Sequence, residues 1–367
     1  MSHLRSSLSA EYKSLLLGEV PLIDVRAPIE YMTGSLPNAT NLPLVLNNER
    51  HEIGICYKKN GLKAALALGH KLVNGKIKNQ RVDAWKLFLN EHPDAVLYCA
   101  RGGLRSQLSQ QWLADAGISC PLVKGGFKSL RAFILKSLVQ CCETKNFILL
   151  SGMTGTGKTD IIKTLESSID LEGAANHKGS SFGRPLGEQP VQIDFENKII
   201  LDLMKAQHQY PKRSIFIENE GRTIGSRHLP EPLHAAMAVS PMVVIDLPFE
   251  ERIDKLLQEY VIERYEQTID YQQEDGQQAF ANYLIDSLFR LKKRLGGERT
   301  REILVLMEEA IKRQHYDNFA SHRLWLEAIT INYYDPMYLY QLNKYNQRIT
   351  FRGNHKEVTE WLREINN

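Results

Sequence analysis

NFILLSGMTGTGKTDIIKTLESS, Asn146 to Ser168, runs from an apolar strand through a glycine-rich loop into a helix. Its centre, GMTGTGKT (Gly152 to Thr159), satisfies G-x-x-x-x-G-K-[ST] in the strand–loop–helix context that this motif requires. Gly152, Thr154, Gly155 and Gly157 bring backbone amides around phosphate oxygens. Lys158 reaches a terminal phosphate, and the Thr159 hydroxyl is available to a phosphate-bound Mg²⁺. The stretch predicts a parallel α/β domain built to hold a phosphate or diphosphate.

Strand-forming runs follow at RSIFIENE and MVVIDLP with helical segments between them, so a P-loop NTPase-like parallel α/β domain is predicted over residues 139–249. Nucleotide hydrolases usually place an Asp at a strand end for the metal. Here SIFIENEGR offers Glu218 and Glu220, which alternate onto one side of an extended segment, and VVIDLP offers Asp246. A diphosphate ester fits such a cradle as well as a nucleotide does. No spacing points to a metal site made by protein alone; Mg²⁺ is expected with the diphosphate, through Thr159. DLEGAANHKGSSFGRPLG, Asp170 to Gly187, has no apolar period and reads as a long loop beside the phosphate site. His177, Lys178 and Arg184 in it, and Arg222 in the ENEGR run, are candidate contacts for phosphate or RNA.

From Glu250 the pattern changes to long amphipathic segments, and residues 250–367 read as a mostly helical basic and aromatic region. Lys292, Lys293 and Arg294 form a dense cluster, and NYYDPMYLYQLNKYNQR begins with Tyr333 and Tyr334. Basic groups track a phosphate backbone and aromatic rings stack on unpaired bases, so this region is the candidate RNA contact. The competing reading is a solvated helix face with tyrosines used for packing.

Upstream of the phosphate loop lies a second parallel α/β pattern, residues 1–138. A short buried strand ends at Asp24-Val25-Arg26, and a second, Ala95 to Tyr98, leads into CARGGLRS. A cysteine just past a parallel strand, followed by glycines and a helix, sits where backbone N–H groups and a helix N-terminus converge. Both favour thiolate over thiol at Cys99, and Arg101 and Arg105 add fixed positive charge. The product is an anion cradle with a nucleophilic sulfur at its floor. Sulfur or selenium transfer uses such a cradle, and so does phosphate-ester hydrolysis, because Cys99, five residues, Arg105 also fits the cysteine-phosphatase spacing. The loop alone leaves both open.

Composition narrows the class. A chain of 367 residues with 43% hydrophobic and 24% charged residues can bury more than one core, and no run is long enough to span a bilayer. The N-terminus lacks a secretory pattern, so a cytoplasmic location is expected. Five cysteines include no CxxC pair and no zinc-ligand spacing. A net charge of +3 neither demands nor excludes nucleic acid.

LIDVRAPIEYMTGSLPNATNLPL resembles the N-terminal signature of rhodanese-like domains, in which Asp24 and Arg26 brace the fold, and LVKGGFKSLR resembles their closing element. Relative to the common Cys-x-x-Gly-x-Arg-Ser loop, the one here is a residue longer, which implies a larger group than plain sulfur. With SGMTGTGKT, DLEGAANHKGSSFG, ENEGRTIG, RLGGER and YYDPMY in order, nearly the whole chain resembles the tRNA 2-selenouridine synthase family. The resemblance implies a transferase acting on wobble 2-thiouridine of tRNA. The sulfur is geranylated with geranyl diphosphate, and the geranylthio group is then replaced by selenium from selenophosphate. It also implies a selenophosphate-supplying enzyme as a partner. The rival readings are a rhodanese-fold cysteine phosphatase and a non-catalytic, nucleotide-dependent RNA-binding module.

Overall fold

The computed structural model describes residues 2–366, with side chains from residue 8 onward. Cα packing divides the chain into two compact units, Met1–Gln140 with Val191–Lys205, and Cys141–Pro190 with Ala206–Asn367. Each is an α/β unit around a parallel sheet, as the alternation of apolar strands and helices predicts.

In the first unit β1 (Leu22–Asp24), β2 (Ala39–Asn41) and β3 (Val96–Tyr98) form a parallel sheet in the order β2-β1-β3, with Leu22 opposite both Ala39 and Val96. Asp24 is fully buried at the end of β1, a position that a lone carboxylate does not tolerate. Arg26 answers it with donors at 2.8 and 2.6 Å, also donates to the Gly34 carbonyl at 2.8 Å, and lies 4.0 Å from the Phe127 ring centroid. The pair thus ties β1 to the following loop and to the closing element. Between β2 and β3 the chain forms two helical stretches, Asn47–Leu72 and Gly75–Glu91. The first is broken at Gly61, whose φ of 79° only glycine adopts readily, and it folds as two consecutive helices. Trp85 of the second is fully buried and donates from Nε1 to the Leu42 carbonyl at 2.9 Å.

Residues 191–205 belong to this first unit although a division at 138/139 assigns them to the next. The reason is polar. Asp194 accepts from the Ser35 amide at 2.5 Å, Asn197 donates to the Ser35 carbonyl at 2.6 Å, and Arg131 donates to Asn197 at 2.6 Å and pairs with Glu196.

In the second unit β4 (Phe147–Gly152), β5 (Ser168–Ile169), β6 (Ile215–Glu218), β9 (Met242–Ile245) and β10 (Ile349–Gly353) form a parallel sheet in the order β10-β9-β4-β6-β5. A small antiparallel hairpin, β7 (Thr223–Ile224) and β8 (Arg227–His228), stands apart from it. Every residue of β4, β6 and β9 is buried, which is why they read as unbroken apolar runs. The phosphate loop leaves the carboxyl end of β4, where neighbours on its two sides come from different parts of the chain; open parallel sheets bind ligands at such a crevice. The 250–367 region is not a separate body. Its β10 pairs with β9 at the sheet edge, while its helices form an apolar core around Phe280, Leu284, Leu288, Met307, Trp325 and Ile329, which Phe182 from the preceding loop joins. Among the described residues no helix is long and apolar enough to cross a membrane.

Candidate active sites

Cys99 follows β3 directly. Its Sγ accepts from Ser106 Oγ at 2.7 Å and from the backbone amides of Arg101, Ser106 and Gly103. Burial alone raises a thiol, but these donors outweigh it and hold Cys99 below the ordinary thiol range. Cys120 and Cys142 go the other way, pushed up to about 11 and about 12 by burial, with Cys141 and Glu143 adding to the second. The closing element clamps the loop: Phe127 N donates to the Cys99 carbonyl at 2.9 Å and Lys128 N to that of Ala100 at 3.0 Å. Gly126, at φ 59°, makes this approach possible, since a Cβ there stands 2.2 Å from the Cys99 carbonyl oxygen.

The two arginines differ. Arg101 is exposed at the loop. Arg105 is held by Glu30 in a two-point ion pair at 2.5 and 3.0 Å, and Glu30 also pairs with Arg50 at 3.1 Å and accepts from Ala27 N. Its guanidinium fork is filled by a carboxylate, whereas a cysteine phosphatase needs that fork for phosphate. The anion donors at the sulfur are therefore amides and one hydroxyl.

A thiol held low stays ionised at a pH where others are protonated. Iodoacetamide labelling followed by peptide mass spectrometry is expected to show the Cys99 rate rising through a pH below about 8.5, the value for a free cysteine. Ser106→Ala removes a donor to the thiolate, so the rise moves to higher pH. An unshifted profile rejects Ser106 as a stabiliser of the thiolate.

In the phosphate loop, Gly152, Gly155 and Gly157 all take positive φ. Lys158 lies inside the site with its Nζ 3.4 Å from the Gly152 carbonyl and 5.6 Å from the Tyr338 ring centroid. Burial lowers a lysine, but Tyr338, Glu220, Glu172 and Glu218 raise this one above its ordinary value, so it stays charged. Thr159 Oγ1 lies 2.7 Å from Glu218 and 3.0 Å from Glu172. Glu218 is fully buried and also accepts from the amides of Leu171 and Glu172 at 3.0 and 3.1 Å. Burial pushes each of Glu172, Glu218 and Glu220 up to about 7, with Glu220 adding to the rise at Glu172 and Glu172 to that at Glu218, while at Glu220 Lys158 opposes it. A cavity of about 280 Å³ opens onto Lys158 and Thr159, walled by Glu172, His177, Lys178, Tyr260 and Tyr338.

Two members of this site, Glu172 and Tyr338, lie outside the residues expected from sequence. Both fall inside runs that carry the family resemblance, DLEGAANHKGSSFG and YYDPMY. Asp170 caps a short helix, Leu171–Ala175, by accepting from Gly173 N at 2.6 Å, so the expected long loop begins as helix and turns Glu172 onto Thr159. Asp246 is occupied by Arg352 and takes no part. Among the described residues no group of three or more His, Cys, Asp or Glu is arranged to hold a metal ion. The hydroxyl of Thr159 with the carboxylates of Glu218 and Glu172 is a hard oxygen set, the kind Mg²⁺ takes when substrate phosphates complete its coordination.

The tail grips the same loop. Arg252, almost fully buried, pairs with Asp335 at 2.7 and 2.6 Å and donates to the Thr154 carbonyl at 3.3 Å. Asp335→Ala is expected to destabilise the unit by about 3 kcal/mol or more, read from the urea midpoint, because it strands a buried guanidinium. Arg252→Met with Asp335→Leu recovers most of that loss; equal loss in both variants refutes the stranded-charge account.

The remaining candidate contacts divide. Tyr333 and Tyr334 are 9% and 4% exposed within the helical core, and Arg294 donates to the Tyr333 hydroxyl at 3.2 Å; packing, not base stacking, is their use. His177 is buried, and burial, then Arg184 and Arg290, keeps it below its ordinary range. It lines the phosphate cavity with Lys178, which pairs with Glu259 at 3.0 Å. Arg222 makes an exposed pair with Glu231 at 3.3 Å, and Arg184, Lys292 and Lys293 are exposed.

Comparison with known proteins identifies the family of each part of the chain. A family model described as the rhodanese-like domain matches residues 9–132, and one described as the tRNA 2-selenouridine synthase AAA domain matches residues 145–367. Curated relatives called tRNA 2-selenouridine synthase include those of Marinobacter nauticus, 47% identical over 96% of each chain, and Shewanella frigidimarina, 45% identical over 96% of this chain and 97% of the relative. That of Pseudomonas fluorescens is 44% identical over 96% of this chain and 97% of its own. With a thiolate cradle, a phosphate loop and this identity across both units, the chain belongs to the tRNA 2-selenouridine synthase family.

Proposed function

We propose that the protein converts wobble 2-thiouridine in tRNA to 2-selenouridine in two steps divided between its two sites. In the first, the 2-thio sulfur attacks C1 of geranyl diphosphate; the C–S bond forms, the C–O bond breaks, and diphosphate departs as the nucleobase loses its N3 proton. The phosphate-loop site is assigned to this step. Its amides, Lys158 and Thr159 hold the diphosphate, and Thr159 with Glu218 and Glu172 would hold Mg²⁺, which neutralises the leaving group when bound.

In the second step the Cys99 sulfur attacks C2 of the alkylated nucleoside, the C2–S bond to the geranylthio group breaks and geranylthiolate leaves; selenium of selenophosphate then displaces the Cys99 sulfur from C2, and water removes the phosphoryl group as phosphate. A thione sulfur is no leaving group until it is alkylated, which is the chemical reason for the first step. Cys99 is assigned as the nucleophile of the second. The single observation that carries the reading is the buried Cys99 sulfur ringed by Ser106 and three amides, a site made for an anion beside a thiolate. The filled fork of Arg105 favours it over the phosphatase reading. Exposed Lys292 and Lys293 are consistent with a polyanionic substrate such as tRNA.

The test is nucleoside mass spectrometry of 2-thiouridine tRNA incubated with the protein, Mg²⁺ and geranyl diphosphate, with and without selenophosphate. Geranylated nucleoside that becomes 2-selenouridine only when selenophosphate is added is the expected result. Bound but unaltered tRNA overturns the reading in favour of a binding module.

A further inference from the structure

Beside the Cys99 loop, within the first unit, lies a cavity of about 760 Å³, a volume in the range of small-molecule sites. One wall is the loop itself, through Arg101, Leu104 and Arg105. The two helices that meet at Gly61 also line it, bringing Ile53 and Ile55 from one half and Leu62 and Leu66 from the other to the same space. Leu108 and Trp112 line it further. Ile55, Tyr57, Leu62 and Leu104 are 42%, 56%, 52% and 45% exposed, so the cavity presents unpartnered apolar surface next to a thiolate. Solvated apolar side chains gathered in a concave site beside a catalytic loop point to a ligand with a hydrocarbon part.

Charge sets the direction in which such a ligand lies. Glu30 joins Arg50 to Arg105, and Arg101 lines the cavity from the same loop as Arg105; the helices add His51, Lys58 and His70 to the lining. The polar part of a ligand fits beside these groups, and an uncharged chain fits against Ile53, Leu62, Leu66, Leu108 and Trp112. The phosphate-loop cavity is smaller and mixes carboxylates and lysines with the rings of Tyr260 and Tyr338.

We infer that this cavity receives a linear isoprenoid chain, the geranyl group borne on the sulfur of the nucleoside intermediate, and so holds C2 of that nucleoside against the Cys99 loop. The inference rests on the two-step reading above, and it deepens it: the second site recognises its substrate by the group that is about to leave. Selenium is then delivered to alkylated nucleosides in preference to plain 2-thiouridine, because only the former fill the cavity.

The experiment compares the binding of two anticodon stem-loop RNAs, one carrying S-geranyl-2-thiouridine and the other 2-thiouridine, by fluorescence anisotropy. The native protein is expected to prefer the geranylated RNA by at least about tenfold, given that even one methylene in an apolar pocket is worth roughly that factor. Ile55→Gln with Leu62→Gln changes exposed positions; it is expected to bring the ratio close to one while the 2-thiouridine RNA binds as before. Tyr57→Ser is the second variant should that pair fail to fold. A preference retained by the variants, or none in the native protein, overturns the cavity assignment. Turnover of the geranylated RNA with selenophosphate is measured in parallel. Its absence in the native protein sinks the two-step reading, whereas turnover with the preference intact in the variants sinks the cavity alone.

Discussion

Cys99→Ala, given 2-thiouridine tRNA, geranyl diphosphate, Mg²⁺ and selenophosphate, is expected to accumulate the geranylated nucleoside and to lose 2-selenouridine by at least about 10³-fold. The expectation follows from what surrounds the sulfur. Ser106 Oγ at 2.7 Å and three amides hold charge on that atom, and alanine leaves the donors aimed at nothing that can react. The variant should fold, because the loop is clamped through the Cys99 and Ala100 carbonyls, which remain. Cys99→Ser tests whether a weaker nucleophile in the same cradle retains any turnover. Loss of geranylation as well, in a folded variant, removes the division of labour between the sites; undiminished selenium incorporation removes Cys99 as nucleophile.

The second large effect is the mirror of the first. Lys158→Ala is expected to slow geranylation by about 10²–10³-fold, the usual cost of losing one preorganised group that stabilises developing charge. Conversion of tRNA geranylated beforehand should proceed at the native rate. Lys158 is the cation among Glu172, Glu218 and Glu220, so its removal withdraws the group that faces the diphosphate and leaves carboxylates that repel it. Lys158→Met keeps the bulk and separates charge from packing. An unaltered geranylation rate in both variants rejects the role given to Lys158 and directs attention to Lys178, on the wall of the same cavity.

The chemistry-bearing turns were legible because their spacing is dictated by geometry that few residues satisfy. CARGGLRS and GMTGTGKT each sit between a buried strand and a helix, and Glu218 closes β6 facing Thr159. The Asp24–Arg26 brace follows from burial of a carboxylate, which demands a partner close by. What sequence reasoning missed depends on long-range packing. ITFRG alternates as a half-buried strand does, but it is only five residues long and stands between helical segments, and its hydrogen-bonding partner β9 lies about a hundred residues earlier. Tyr333 and Tyr334 carry the same letters as base-stacking tyrosines, and only the surrounding helices decide that they are core. Glu172 was hidden in a polar run whose helix depends on the Asp170 cap. The apolar cavity likewise needs both halves of the helix broken at Gly61, whose lining residues are spread among lysines and asparagines.

The interleaving of the two units has a consequence for a chain emerging from the ribosome. Residues 191–205, which complete the first unit, leave the exit tunnel after β4 and β5, and β10, the edge of the second sheet, is made last of the strands. During synthesis β4 and β5 therefore wait for their sheet partners while the earlier unit closes around its late helix, and β9 then waits about a hundred residues for the edge strand β10. Domains that are contiguous in sequence can fold one after another as they emerge. Here a cut at 138/139 deprives the first fragment of residues 191–205, and a cut ahead of residue 349 deprives the second sheet of its edge strand.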